Sequence, residues 1–148
     1  MFIISPVSIK SGNREMPEAT TSTQEITSGV VIEEKFNNIT NNISEIAIVF
    51  SKLYAQEDCS IIIELLNGKE LLTREVVYGL DIPGDHRTYV RPSNPISGLV
   101  GKELTLKIYS DTSAGTGLAV MVDGNDNSMY TMGGNTFKGT LCFSITGK

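Results

Sequence analysis

Leu104, Leu106 and Ile108 alternate strictly with Glu103, Thr105, Lys107 and Tyr109. A period of two puts one set on each face of a strand, so this stretch predicts a strand with an apolar inner face and a polar outer one. Gly101 opens it, and Ser110-Asp111 closes it with turn chemistry. Helical spacing would scatter the three apolar side chains around most of a turn. The other apolar runs read as neighbours of this strand. Val30 and Ile32 alternate ahead of Glu33-Glu34-Lys35-Phe36. From Ile43 to Phe50 two patterns compete, because Ile43, Ile46, Ala47, Phe50 and Tyr54 also fit a helical stripe. A helix would leave Ile48 and Val49 facing water, and β-branched residues disfavour it. A strand with Ile46, Ile48 and Phe50 on one face is the better reading.

Cys59 to Leu66 is a further strand with Ile61, Ile63 and Leu65 inward. It turns at Asn67-Gly68, a dipeptide suited to positive backbone angles, and Glu70 to Tyr78 returns antiparallel. Pro83, Gly84, Pro92 and Pro95 surround a short extended piece, Thr88 to Arg91. Leu118 to Val122 is followed by a turn at Asp123-Gly124 and a Gly-rich loop at Gly133-Gly134, and Leu141 to Ile145 closes the chain. Eight or nine short strands at close spacing with no helix predict an all-β fold, an antiparallel jelly-roll-like β-sandwich. Leu104, Leu106, Ile108, Ile46, Ile48, Phe50, Ile61, Ile63, Val120 and Phe143 should line its shared core.

Ahead of the sandwich lies a different kind of segment. Met1 to Ile9 reads as one short strand, and Lys10 to Ser28 is polar and without period, with Pro17 and the run Thr20-Thr21-Ser22-Thr23. Residues 1–28 are therefore expected to form an extended N-terminal arm and residues 29–148 the β-sandwich domain. An ordered arm of this kind lies either against another molecule or across its own domain. Its apolar anchors are Phe2, Ile3, Ile4, Val7 and Ile9.

Composition narrows the partners. In 148 residues the net charge is -5 with lysines and arginines scattered singly, which argues against nucleic acid. No apolar run approaches the ~18 residues of a membrane span, so no membrane partner is expected. The N-terminus lacks the basic start and long apolar core of a signal peptide, which suggests that export is absent or that the mature chain starts here. Cys59 and Cys142 sit inside strand-like runs and read as two buried thiols in preference to a bridge. The sequons Asn38-Ile39-Thr40 and Asn42-Ile43-Ser44 read as chance in an Asn-rich turn.

The order of signals resembles a known group of folds. Asn42-Ile43-Ser44-Glu45-Ile46 leads a strand, and Ile63-Glu64-Leu65-Leu66 precedes a hairpin. Tyr89-Val90-Arg91-Pro92 then comes before the Gly101 to Ser110 strand, with Tyr130 and Leu141-Cys142-Phe143 after it. This is similar to the jelly-roll domains of carbohydrate-binding-module type found beside bacterial carbohydrate-active proteins and in phage virion proteins. The resemblance covers about Gly29 to Lys148 and implies a binding domain, on a virion or on a glycan.

Catalytic and metal chemistry find little footing. His86, in Asp85-His86-Arg87, is the one histidine, and neither a Gly-x-Ser-x-Gly elbow nor a reactive-Cys signature accompanies it. A single histidine and two isolated cysteines do not make a zinc site. Asp123-Gly124-Asn125-Asp126-Asn127-Ser128 has the oxygen-rich look of a calcium loop, but it lacks the later Glu of an EF-hand and its glycine is misplaced. An Asp-Gly hairpin turn explains it better. No catalytic residue, metal or cofactor is therefore expected. Tyr89, Tyr109 and Tyr130, with Asp85 and Asn125 in loops, are the candidate ligand-facing residues, since a tyrosine offers a stacking face. For each tyrosine, packing into the core is the competing role.

The expected function is a non-enzymatic structural or interaction protein of a large assembly, anchored by its arm. A phage virion decoration or fibre-base protein fits best, with capsid or tail subunits as partners and many copies or a homo-oligomer. The alternative is a carbohydrate-binding module recognising a surface glycan, located outside the cell or on its surface. Such modules usually stack sugars on Trp, and this chain has none, which sets the alternative second.

Overall fold

The computed structural model describes residues 12–54, 58–112 and 115–147. Within them the chain forms strands β1 (Thr21–Ser22), β2 (Ile32–Asn37), β3 (Ile43–Lys52), β4 (Ser60–Asn67), β5 (Glu70–Tyr78) and β6 (Arg87–Val90). These are followed by β7 (Glu103–Ser110), β8 (Leu118–Asp123), β9 (Met129–Met132), β10 (Asn135–Lys138), β11 (Thr140–Leu141) and β12 (Phe143–Gly147). One 3-10 turn, Gly79–Asp81, follows β5, and there is no α-helix among the described residues. The fold is an antiparallel β-sandwich.

One sheet has the order β10-β9-β2-β7-β4-β5. The other runs β1-β8-β3-β12, with β6 added on β3 and β11 on β8. Most connections cross from one sheet to the other, in the jelly-roll manner. The hairpins β4–β5 and β9–β10 stay within one sheet.

β7 occupies the middle of its sheet for the reason its alternation suggests. Ile108 is flanked by Ile32 of β2 and Ile63 of β4, while Leu106 pairs with Leu65 and Leu104 with Phe36. Side chains of one parity thus stack into a single apolar layer. All ten residues expected in the core have 0% of their surface exposed.

β3 is a strand throughout, as its inward Ile46, Ile48 and Phe50 require. It organises the second sheet through a fork. β8 pairs with β3 only as far as Val120 opposite Phe50, and then diverges. The final strand fills the gap by bending at Cys142. β11 follows β8 and β12 follows β3, while the Cys142 N–H bonds the Met121 carbonyl at 2.8 Å and the Cys142 carbonyl accepts from Val49 at 3.0 Å.

The β4–β5 turn sits one residue later than the sequence suggested. Asn67 is still paired with Glu70, so the two-residue loop is Gly68-Lys69. Gly68 has φ 60°, the positive angle that such a loop demands at its first position. A register shift between Leu65 and Leu66 accommodates the offset.

Residues 12–28 lie across their own domain. Arg14 pairs with Ile145 of β12, and the N–H groups of Thr20, Thr23 and Ile26 bond the carbonyls of Val122, Val120 and Leu118 along β8. Ile26 is fully buried in the core. A stretch that looked like linker therefore serves as a sheet edge. The strand expected at Met1 to Ile9, with the anchors Phe2, Ile3, Ile4, Val7 and Ile9, lies outside the described residues.

Candidate functional site

A polar cluster of bonded side chains lies inside the sandwich. On β2, Ile32, Glu34 and Phe36 share the inward parity, which carries a carboxylate into the space between the sheets. Glu34 Oε1 accepts the Leu141 N–H at 2.7 Å and Oε2 accepts the Thr140 hydroxyl at 2.6 Å. Arg14 comes in from the leader, its Nη2 3.7 Å from Glu34 Oε2 and donating to Thr140 Oγ1 at 2.8 Å. Its Nε donates to the Phe143 carbonyl at 3.3 Å. The guanidinium lies 3.9 Å from the centre of the Phe143 ring, and that ring meets Phe36 edge-on at 5.2 Å.

Burial pushes the Glu34 carboxyl above its ordinary range, against the lowering effects of Thr140, Leu141 and Arg14. Burial likewise lowers the Arg14 guanidinium, with Glu34 as the main opposing influence. The cluster joins leader, β2, β11 and β12. With its carboxylate oxygens bonded and its rings packed it is built as a clasp.

The residues proposed as ligand-facing are spread over the surface and the interior. Tyr109 points outward from β7, and its hydroxyl donates to Glu64 Oε2 at 3.0 Å. Around it the outer face carries a row of alternating charge across four strands. Lys107 is 3.5 Å from Glu33, and Arg74 is 3.6 Å from Glu64. Tyr89 projects from β6 on the outside of the other sheet, 58% exposed. Tyr130 is buried, its ring stacked on Phe137 at 5.4 Å, and so takes the packing role.

Asp85 is exposed beside His86 in the connection before β6, at φ 61°, with its N–H on the Phe50 carbonyl. Asn125 is exposed in the β8–β9 turn, where its N–H bonds Asp123 Oδ1 at 3.0 Å. Asp126 accepts the Ser128 N–H at 2.8 Å, and its bonds to Ser128 hold that carboxyl below the ordinary range. One carboxylate oxygen each of Asp123 and Asp126 is thus engaged in an Asx turn. Among the described residues no three His, Cys, Asp or Glu side chains converge as a metal site. Cys59 and Cys142 are buried, and burial pushes the Cys142 thiol up to about 11. Asn38, of the first sequon, is also buried; its amide donates to the Thr40 and Leu99 carbonyls, which makes it a brace for the loop.

Two surface features present themselves instead. The first is a shallow groove of about 480 Å³ beside the end of β6, lined by Ile43, Ser44, Arg91, Pro92, Asn94 and Ile96. Arg91 stands at its rim, 3.5 Å from Glu45. The second is the outer edge of β5, which ends its sheet. Leu71, Val76 and Tyr78 are 49%, 45% and 61% exposed there, and Leu80 just beyond is 66% exposed. Sequence reasoning placed β5 correctly but missed its openness, because edge position is a property of the whole sheet.

No family model matches the chain, and neither a curated protein nor a solved structure matches it.

Proposed function

We propose that the chain is a non-enzymatic structural protein that works by docking into a large assembly, with the apolar residues of its leader as the anchor. A virion decoration or fibre-base protein is the form of this reading that the acidic net charge and the apolar leader favour. The open edge of β5, with exposed Leu71, Val76, Tyr78 and Leu80 beside it, is the observation that carries it. Apolar side chains gathered along an unpaired strand edge mark a place where other chains add. The leader anchors Phe2, Ile3, Ile4, Val7 and Ile9 offer matching chemistry.

A second reading, a glycan-binding module, is supported by the groove. Tyr89 and Arg91 are both exposed, and Ser44 and Asn94 line the groove next to Arg91. A ring to stack on and several hydrogen-bonding groups are what a sugar requires.

Fractionating the source material on a density gradient separates the two readings. Docking predicts that the chain sediments with a large particle and shows no retention on a glycan array. Glycan retention abolished by Tyr89→Ala, with the chain found only in light fractions, would overturn it.

A further inference from the structure

We propose that β5 of one molecule receives residues 2–9 of a second copy of this chain as an added antiparallel strand. The inference rests on the reading of the leader as an anchor and names the partner it anchors to. β5 is hydrogen-bonded to β4 on one side and ends its sheet on the other. The passing connection meets its inner side, where Ser93 donates from both N–H and Oγ to Glu75, and runs beside Leu71 and Leu72 at the start of the strand. Towards the end of the strand, Val76 and Tyr78 stand in solvent.

The leader suits that edge. Phe2 to Ile9 carries no charged side chain, and Lys10 follows. Pro6 has no N–H, so it fits a strand only where that nitrogen faces away from the partner. The ladder would then be made by the residues of odd number, among them Ile3, Val7 and Ile9. Antiparallel pairing brings Lys10 towards Glu70, with opposite charges together.

Reach decides whose leader is used. The described chain starts at Gly12, whose N–H bonds the Ile39 carbonyl just past the end of β2. From β2 to β5 is three strand positions across the sheet, or about 14 Å. The three residue steps from Ile9 to Gly12 span at most about 11 Å. A molecule cannot lay its whole apolar stretch along its own β5, whereas a neighbour can. Main-chain bonds then supply affinity, and Val76 and Tyr78 supply the fit. Such head-to-tail donation builds rings or chains, and reciprocal donation builds pairs.

The test uses the full chain beside its Ile3→Glu/Val7→Glu variant, by sedimentation velocity over a concentration series and by amide hydrogen exchange along β5. The full chain should associate as concentration rises, with the alternate amides of residues 74–78 that face away from β4 slowing at least about tenfold. The variant should stay monomeric with those amides unchanged, and Val76→Lys in an otherwise intact chain should also stay monomeric. Protection of β5 in a monomer, independent of concentration, would mean that a molecule's own leader occupies the edge and would overturn the proposal. Leader-dependent association that leaves the β5 amides unchanged would overturn β5 as acceptor while sparing the anchor. A variant that joins its assemblies as well as the full chain does would overturn both.

Discussion

Single residues in this sandwich do two kinds of work, and Leu106 and Glu34 represent them. Leu106 is fully buried between Glu34 of β2 and Leu65 of β4. Leu106→Ala leaves a cavity and should lower stability by about 2–5 kcal/mol in chemical denaturation. Arg14→Ala leaves the Glu34 carboxylate, whose side chain is 2% exposed, without its cation. Removing one partner of a buried pair costs about 3–5 kcal/mol, so a loss within about 0.5 kcal/mol would refute the clasp. Glu34 also has a pH signature. Its carboxyl titrates higher in the folded chain than in the unfolded one, mainly through burial. The stability that the bound proton adds is complete below the ordinary glutamate value and is lost as pH rises through the folded value. The melting temperature of the wild type minus that of Glu34→Gln should therefore fall as pH rises from about 4 to 7. A difference that is flat or rises would contradict the burial of that carboxylate. Glu34 was legible in one respect only. It shares parity with Ile32 and Phe36, but in Glu33-Glu34-Lys35 it reads as one of several surface charges. Arg14, its partner, is distant in sequence, and no local pattern announces such a pair.

At the level of elements, legibility followed periodicity. β7 was readable because apolar residues alternate along it, and β3, β4, β5 and β8 because short runs rich in apolar residues end in turn residues. β3 was separable from a helix by Ile48 and Val49. The leader was opaque for a physical reason. Residues 12–28 bond through their backbones to β8 and β12, and backbone bonding leaves little trace in side-chain pattern. Only Ile26 buries a large apolar side chain there. The fork at Cys142 was equally hidden, since a strand that changes partners midway still reads as one strand. The leader's two parts should respond differently to deletion. Removing residues 1–11 should leave the melting temperature within about 2 °C. Removing residues 1–28 deletes Ile26 and Arg14 together and exposes the β8 edge, and should lower it by 10 °C or more, on the order of several kcal/mol. Equal melting temperatures for the two deletions would mean that residues 12–28 are not part of the sheet's cooperative unit.

For the whole molecule, the sandwich was predictable because its strands are many, short and evenly spaced. The functional surface was much less so. The five ligand-facing candidates occupy separate places: Tyr109 and Tyr89 on opposite outer faces, Tyr130 inside, Asp85 and Asn125 in different loops. The open β5 edge and the groove at Arg91 arise only when the sheets are assembled, and sequence alone does not order the strands. What joins sequence and structure is the leader, whose residues 12–28 are clasped to β8 and β12 through their backbones. The most direct measurement is occupancy. Full-length chain and chain lacking residues 1–11 would be expressed at equal level in the source, and their copies in the particle fraction counted by quantitative mass spectrometry. Docking through the leader predicts that the shortened chain folds but falls at least about tenfold in the particle, a loss of ~1.4 kcal/mol or more of binding. Equal occupancy of the two chains would contradict it.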